Sequence, residues 1–111
     1  MVELTEAEIG AQLQQFFDGK AERWTDGAFA LDADGSCVGV HDAEAACYCL
    51  MGAVFRLFDD KRLANGEWLV PTARAAITKY VPLGWTVEKW NDTPGRTFSD
   101  VQKLLRKMQG L

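Results

Sequence analysis

Four residues with metal-binding or nucleophilic side chains lie in one stretch of the chain: Cys37, His41, Cys47 and Cys49. Three thiols and one imidazole form a legitimate tetrahedral zinc set. The spacing argues against such a site, because residues 43–58 are predicted to be helical and would point Cys47 and Cys49 about 200° apart. His41 could also act as a base for a cysteine nucleophile, either Cys37 or Cys47, but no sequence motif supports such a pair. We therefore predict no catalytic residue, metal or cofactor, and we expect the thiols to be buried as small apolar groups.

A second set of chemical groups lies in the run Trp90-Asn91-Asp92-Thr93-Pro94-Gly95-Arg96-Thr97. In a functional interpretation, Arg96 and the amides after Thr97 bind an anion, and Asn91 and Asp92 orient a ligand. In a structural interpretation, Trp90 packs in the core and Pro94-Gly95 form a turn. Thr97 then caps the next helix and Asp92 pairs with Arg96. The structural interpretation is favoured, because each residue type has a known local role in turns and caps.

The chain contains four tryptophans, at positions 24, 68, 85 and 90. Most tryptophans join a core, but one left exposed is a typical hot spot for a protein partner. Trp85 follows Gly84 near a predicted helix break. We therefore predict that Trp85 is the exposed tryptophan and a partner-binding residue.

The elements that position these residues are predicted to be mainly helices. Thr5 and Glu8 have capping-box spacing at the start of an amphipathic helix that ends near Gly19. Asp42 is a plausible N-cap for residues 43–58, which are apolar on most faces and so predict a central helix with several neighbours. Gly52 within it indicates that another backbone approaches closely.

The second half of the chain predicts three further helical segments. Pro71 suits the first turn of a helix that Pro82 terminates, and Thr86 is a candidate cap for a short helical turn. Thr97 and Asp100 begin a last helix that runs to the C-terminus. Near residues 28–40, a small β-hairpin and a structured loop both remain open. The predicted fold is mostly α: one globular domain over 1–111, a compact bundle of four to five helices around the central helix.

Three blocks carry a family resemblance: Trp24-Thr25-Asp26-Gly27-Ala28, Cys49-Leu50-Met51-Gly52-Ala53, and Trp90 to Thr97 followed by Val101 and Leu104-Leu105. With them the chain resembles an uncharacterised family of small bacterial and phage-associated proteins, a domain of unknown function. It departs from the family pattern at Tyr48, where such proteins often carry Trp. The resemblance implies one compact domain and supplies no activity, cofactor or catalytic residue.

Composition excludes several classes of function. The 111 residues include 12 Lys and Arg and 16 Asp and Glu, giving a net charge of −4 with scattered cations. Such a chain has no basic footprint for nucleic acid. No apolar run reaches the length of about 20 residues that a membrane span needs. With three cysteines and no secretory signal, we expect a reduced, cytoplasmic setting.

These observations favour a small intracellular interaction or regulatory protein that acts through a protein partner and is related to phages or mobile elements. The partner and the oligomeric state are not indicated by the sequence. The alternative is a small-ligand or anion-binding domain, conceivably an enzyme, with Asn91, Asp92, Arg96 and Thr97 at its site. An exposed aromatic patch would favour the first hypothesis, and a polar pocket at that turn would favour the second.

Overall fold

The computed structural model describes residues 4–111. Over these described residues, five α-helices, one short 3₁₀ turn and a two-stranded antiparallel sheet form the fold, which confirms the prediction of a mostly helical protein. In chain order the elements are α1 (Glu6–Phe17), the 3₁₀ turn (Ala21–Arg23), β1 (Ala30–Asp32), β2 (Ala45–Tyr48), α2 (Leu50–Phe58), α3 (Leu69–Thr78), α4 (Val87–Asn91) and α5 (Phe98–Met108).

Three of the helices begin at the threonines that the sequence indicates. Thr5 and Thr97 each form a complete capping box, with Glu8 and Asp100 respectively. Thr86 caps α4 by accepting a hydrogen bond from the Lys89 amide. These predictions are confirmed, because a cap needs only residues within one helical turn and is therefore visible in the sequence.

The predicted central helix is shorter than residues 43–58. Residues Ala45–Tyr48 form strand β2, and α2 begins at Leu50 with Cys49 as its N-cap, in place of Asp42. The Cys49 backbone is extended, at φ −74° and ψ 173°, and its thiol accepts a hydrogen bond from the Gly52 amide at 3.2 Å. An uninterrupted apolar run is compatible with either a helix or a buried strand, so the strand partner decided the outcome.

That partner is β1, paired in the register Ala30 with Tyr48 and Leu31 with Cys47. The small sheet near 28–40 is thus present, but its second strand lies further along the chain than predicted. Asp34-Gly35 does form a tight turn, in which the Asp32 carboxylate accepts hydrogen bonds from the amides of Asp34 and Ser36. After this turn a single bridge joins Leu31 to Cys37.

Helix α2 lies at the centre of the core, as predicted. Its residues Leu50 to Val54 are all buried, and it contacts α1, α3, α4 and β2. The predicted close backbone approach is confirmed: a Cβ atom at Gly52 would lie 1.9 Å from the carbonyl oxygen of Phe29. Helix α5 packs its apolar face on α1. None of the helices in residues 4–111 has the length and apolar character that a bilayer crossing requires.

Candidate functional site

The run from Trp90 to Thr97 connects α4 to α5 through a tight turn. The Arg96 amide donates a hydrogen bond to the Thr93 carbonyl at 2.9 Å, which closes a four-residue turn around Pro94 and Gly95. Gly95 has φ +84°, and a type II turn with proline before it requires this left-handed conformation. Trp90 is 7% exposed and belongs to the core. The structural roles predicted for these three residues are confirmed.

Asn91 is the one buried polar residue among the described residues, with an exposed fraction of 0%. Its side-chain oxygen accepts hydrogen bonds from the Trp24 indole at 2.8 Å and from the Leu50 amide at 3.0 Å. Its side-chain nitrogen donates to the Thr25 carbonyl at 3.1 Å and to the Asp92 carboxylate at 3.0 Å. With two donated and two accepted bonds, the amide is fully satisfied, as a buried polar group must be.

The Asn91 network joins the three sequence blocks that are far apart along the chain. Trp24 and Thr25 come from the first block, Leu50 from the second, and Asn91 and Asp92 from the third. The same Asp92 oxygen that receives the Asn91 bond also accepts one from the Gly27 amide at 2.9 Å. The arrangement fixes the position of the Asp92 carboxylate relative to the first turn of α2.

A cavity of about 200 Å³ lies beside this network and is here called the acidic cavity. It is lined by residues 27–29, by Cys49, and by the acidic residues Glu88 and Asp92. Glu88 lies in the first turn of α4 and Asp92 is its C-cap residue, four positions later, so the two share one face of the helix. Both charged side chains that line the acidic cavity are therefore negative.

The two carboxylates differ in whether a cationic side chain lies beside them. Glu88 accepts a hydrogen bond from the Arg74 guanidinium at 2.7 Å, which lowers the pKa of Glu88 below its usual value. Glu88 is thus ionised at neutral pH. The Asp92 carboxylate has no lysine, arginine or histidine nitrogen within 4.0 Å among residues 4–111, and its contacts are to neutral groups. The acidic cavity therefore presents a negative charge without a cationic partner from the described chain.

The remaining candidate groups do not form a reactive site. Burial raises the pKa of the Cys49 thiol to about 11, so this group is a neutral thiol at physiological pH and a poor nucleophile. Cys37 is exposed and Cys47 is part-buried in β2, so only one of the three thiols is buried as expected. His41 approaches Asp59 at 3.2 Å, on the surface. Within residues 4–111, no group of three or more potential metal ligands is brought together.

The predicted ion pair between Asp92 and Arg96 is wrong. Arg96 turns the other way: its Nε donates to the Trp90 carbonyl at 2.8 Å, and its guanidinium stacks on the Trp90 ring at 4.1 Å. A further Arg96 nitrogen lies 3.9 Å from Asp100. The four residues proposed as one ligand site are therefore divided, with Asn91 and Asp92 on the acidic cavity side, Arg96 elsewhere, and Thr97 used as a helix cap.

The prediction for the exposed tryptophan is also wrong. Trp68 is 47% exposed and stacks with Arg62 at 3.8 Å, whereas Trp85 is partly buried against the core and contacts Lys89. Trp68 is the N-cap residue of α3, where no side-chain cap forms. Trp68 lies just before α3, so the packing of α3 decides how much of the Trp68 ring is exposed. The local sequence does not specify this packing.

Residues 20–110 match the model of the family of unknown function DUF6197. The chain belongs to this family. The prediction of an uncharacterised family is thereby confirmed. No curated protein and no solved structure matches the chain. The segment matched by DUF6197 contains the whole Asn91 network and every lining residue of the acidic cavity, whereas α1 precedes it.

Sequence reasoning identified Asn91 and Asp92 but missed Glu88, Gly27 and Phe29 as neighbours of the site. A signal for Glu88 existed, because it lies four residues before Asp92 and within the helical turn predicted after Thr86. No local signal existed for Gly27 and Phe29. They lie at the site because β1, which follows them, pairs with β2, and because the Phe29 carbonyl approaches Gly52 closely.

Proposed function

We propose that this DUF6197 protein is a small binding module that recognises a protein partner by accepting one lysine or arginine side chain of that partner in the acidic cavity. The observation that carries this proposal is the uncompensated Asp92 carboxylate, held in place beside the ionised Glu88. A cation placed between the two would complete the charge balance of the cavity. The proposal does not include a catalytic step.

A side chain of a larger partner suits this cavity better than a free amine. A single solvent-accessible ion pair contributes only about 0–1 kcal/mol, which is too little to hold a small molecule firmly. Phe29, one of the lining residues, is 46% exposed, and its ring packs edge-on against Phe55. A protein partner can cover this aromatic ring while its cation enters the cavity, and apolar contacts around a charged anchor are typical of binding hot spots.

The setting of the proposed interaction follows the expectations drawn from sequence. We place the protein in the cytoplasm and, from its resemblance to small bacterial and phage-associated proteins, propose that it is itself related to a phage or mobile element. The genes that neighbour this one are the observation that tests that expectation. Direct nucleic-acid binding is not part of the proposal, because the net charge of −4 disfavours it.

Affinity capture from a lysate of the native host tests the proposal with three immobilised proteins: the wild type, Asp92→Asn and Asp60→Asn. The Asp92→Asn change keeps the oxygen that accepts from Gly27 and Asn91 but removes the charge. Asp60 is exposed and gives a control with the same loss of charge. We expect one protein to be captured by the wild type and by Asp60→Asn, and to bind at least about tenfold more weakly to Asp92→Asn, as for a buried interfacial charge pair.

Equal capture by all three proteins would contradict the role of the acidic cavity, as would capture of no protein. Substituting the candidate lysine or arginine of the captured partner by methionine should reproduce the loss. A nuclear magnetic resonance titration with N-acetyl-lysine amide separates the two classes of ligand. Saturation of the Gly27, Phe29 and Asp92 amide shifts below about 1 mM would indicate a free amine ligand and overturn the protein-partner proposal.

A further inference from the structure

A second cavity, of about 210 Å³, shares no lining residue with the acidic cavity and is here called the basic cavity. It is lined by three cationic side chains, two aromatic ones, one leucine and one carboxylate: Arg96, Lys103, Lys107, Tyr80, Trp90, Leu104 and Asp100. The cations outnumber the carboxylate by two, in a protein whose net charge is −4. Local positive charge against an overall negative background is the electrostatic pattern of an anion site.

The charges that line the basic cavity are only partly used by the protein itself. Asp100 lies 3.9 Å from Arg96 and accepts a hydrogen bond from the Thr97 amide. Among the described residues, no carboxylate lies within 4.0 Å of Lys103 or Lys107. Asp100, Lys103 and Lys107 follow at helical spacing along one face of α5, so the two lysines extend from the same side of the helix.

Arg96 is held in a fixed position at one end of the basic cavity. Its Nε bond to the Trp90 carbonyl and its stacking on the Trp90 ring restrict the side chain, which is 19% exposed. Trp90 itself is 7% exposed and lines the basic cavity next to Arg96. Arg96 is therefore the positionally fixed cation of the basic cavity.

The two capping-box amides at the start of α5, those of Thr97 and Asp100, do not provide this site. The Asp100 amide donates to the Thr97 hydroxyl and the Thr97 amide donates to the Asp100 carboxylate, so the capping box already uses them. The Tyr80 hydroxyl donates to Glu6 and is likewise occupied. The available cationic groups are therefore the side chains of Arg96, Lys103 and Lys107, which places the anion site on the flank of α5 and not at its end.

We infer that the basic cavity binds the phosphate group of a small phosphorylated molecule. Arg96 supplies a planar set of donors, and the two lysines supply mobile charges that can close on the oxygens. A volume of about 210 Å³ lies below the range of about 300–1,000 Å³ that is usual for drug-sized ligands. The cavity therefore accommodates the phosphate group, and the rest of the molecule extends into solvent. This inference is independent of the proposed protein partner.

Titration of the wild type with inorganic phosphate, at constant ionic strength and followed by amide chemical shifts, tests the inference. We expect saturable shifts centred on Arg96, Lys103 and the Trp90 indole N–H, with a Kd of roughly 1–10 mM for a few solvent-screened charge pairs. The double variant Lys103→Gln with Lys107→Gln should raise the Kd about tenfold while the circular dichroism spectrum stays unchanged, since both side chains are exposed. Glycerol phosphate should bind at the same residues.

A matched control removes the same two charges elsewhere, through Lys20→Gln with Lys61→Gln, because both of these lysines are exposed and lie outside the basic cavity. The control should leave the Kd unchanged within about twofold. Equal weakening by both double variants would show that only the overall charge matters and would overturn the inference. Shifts that remain linear in phosphate, or that chloride reproduces at the same ionic strength, would overturn it as well.

Discussion

Replacing Asn91 by alanine removes the amide that connects three distant parts of the chain. The Leu50 amide, on a residue with 0% exposure, loses its acceptor and stays buried, at a cost of about 1–3 kcal/mol. The Trp24 indole and the Thr25 carbonyl are only part-buried, and each bond lost there costs about 0.5–1.5 kcal/mol. We therefore expect Asn91→Ala to lower the free energy of unfolding by about 2–6 kcal/mol.

Urea denaturation followed by tryptophan fluorescence and by circular dichroism measures this difference. The total stability of a domain is about 5–15 kcal/mol, so the shift in the denaturation midpoint should be large. Asn65→Ala provides the control, because Asn65 is exposed and accepts one hydrogen bond, from the Glu67 amide. We expect the control to change the free energy of unfolding by less than about 1 kcal/mol.

The reasoning would be refuted if Asn91→Ala and Asn65→Ala were destabilised equally, or if Asn91→Ala lost less than about 1 kcal/mol. Either outcome would mean that the buried amide is not needed to satisfy the Leu50 and Trp24 donors. Asn91→Asp supplies an independent check. It keeps the acceptor oxygen but loses both donated bonds and places a second negative charge beside Asp92, so it should also be destabilised.

Two other predictions concern the neighbourhood of the same site. Gly52→Ala should destabilise the protein by at least about 3 kcal/mol, since its Cβ would lie 1.9 Å from the backbone oxygen of Phe29. Gly39→Ala is the control, because the space around Gly39 is open. A similar urea midpoint for the two variants would disprove the close approach at Gly52. Because the Arg74 bond lowers the pKa of folded Glu88, the unfolded state binds its proton first as the pH falls. This stabilisation is complete above the unfolded pKa of about 4.3 and is lost as the pH falls through the folded pKa. Glu88→Gln should therefore show a shallower loss of stability between about pH 5 and pH 3 than the wild type in urea titrations at each pH, and parallel curves would contradict it.

The sequence by itself determined the starts of α1, α4 and α5, the turn at Pro94-Gly95, and the central place of α2. A cap or a turn depends on hydrogen bonds between residues within about four positions, so the residue types at those positions are sufficient to specify it. The glycine in α2 could also be interpreted correctly, because its cost in a helix needs a compensating contact. The local sequence is sufficient to specify these features.

The tertiary structure alone decided whether residues 45–48 are helix or strand, which partner Asp92 takes, and which tryptophan is exposed. Each outcome depends on a group far along the chain: β1 for the strand, and the Gly27 amide, 65 residues away, for Asp92. Arg96 had an acidic neighbour on either side, at Asp92 and Asp100, and the direction of its side chain was set by stacking on the packed Trp90 ring. As a result, Asp92 lines the acidic cavity and Arg96 lines the basic cavity, although the two residues belong to one sequence motif. The direction of a side chain in a connecting turn depends on contacts with packed residues, and residue spacing alone does not specify these contacts.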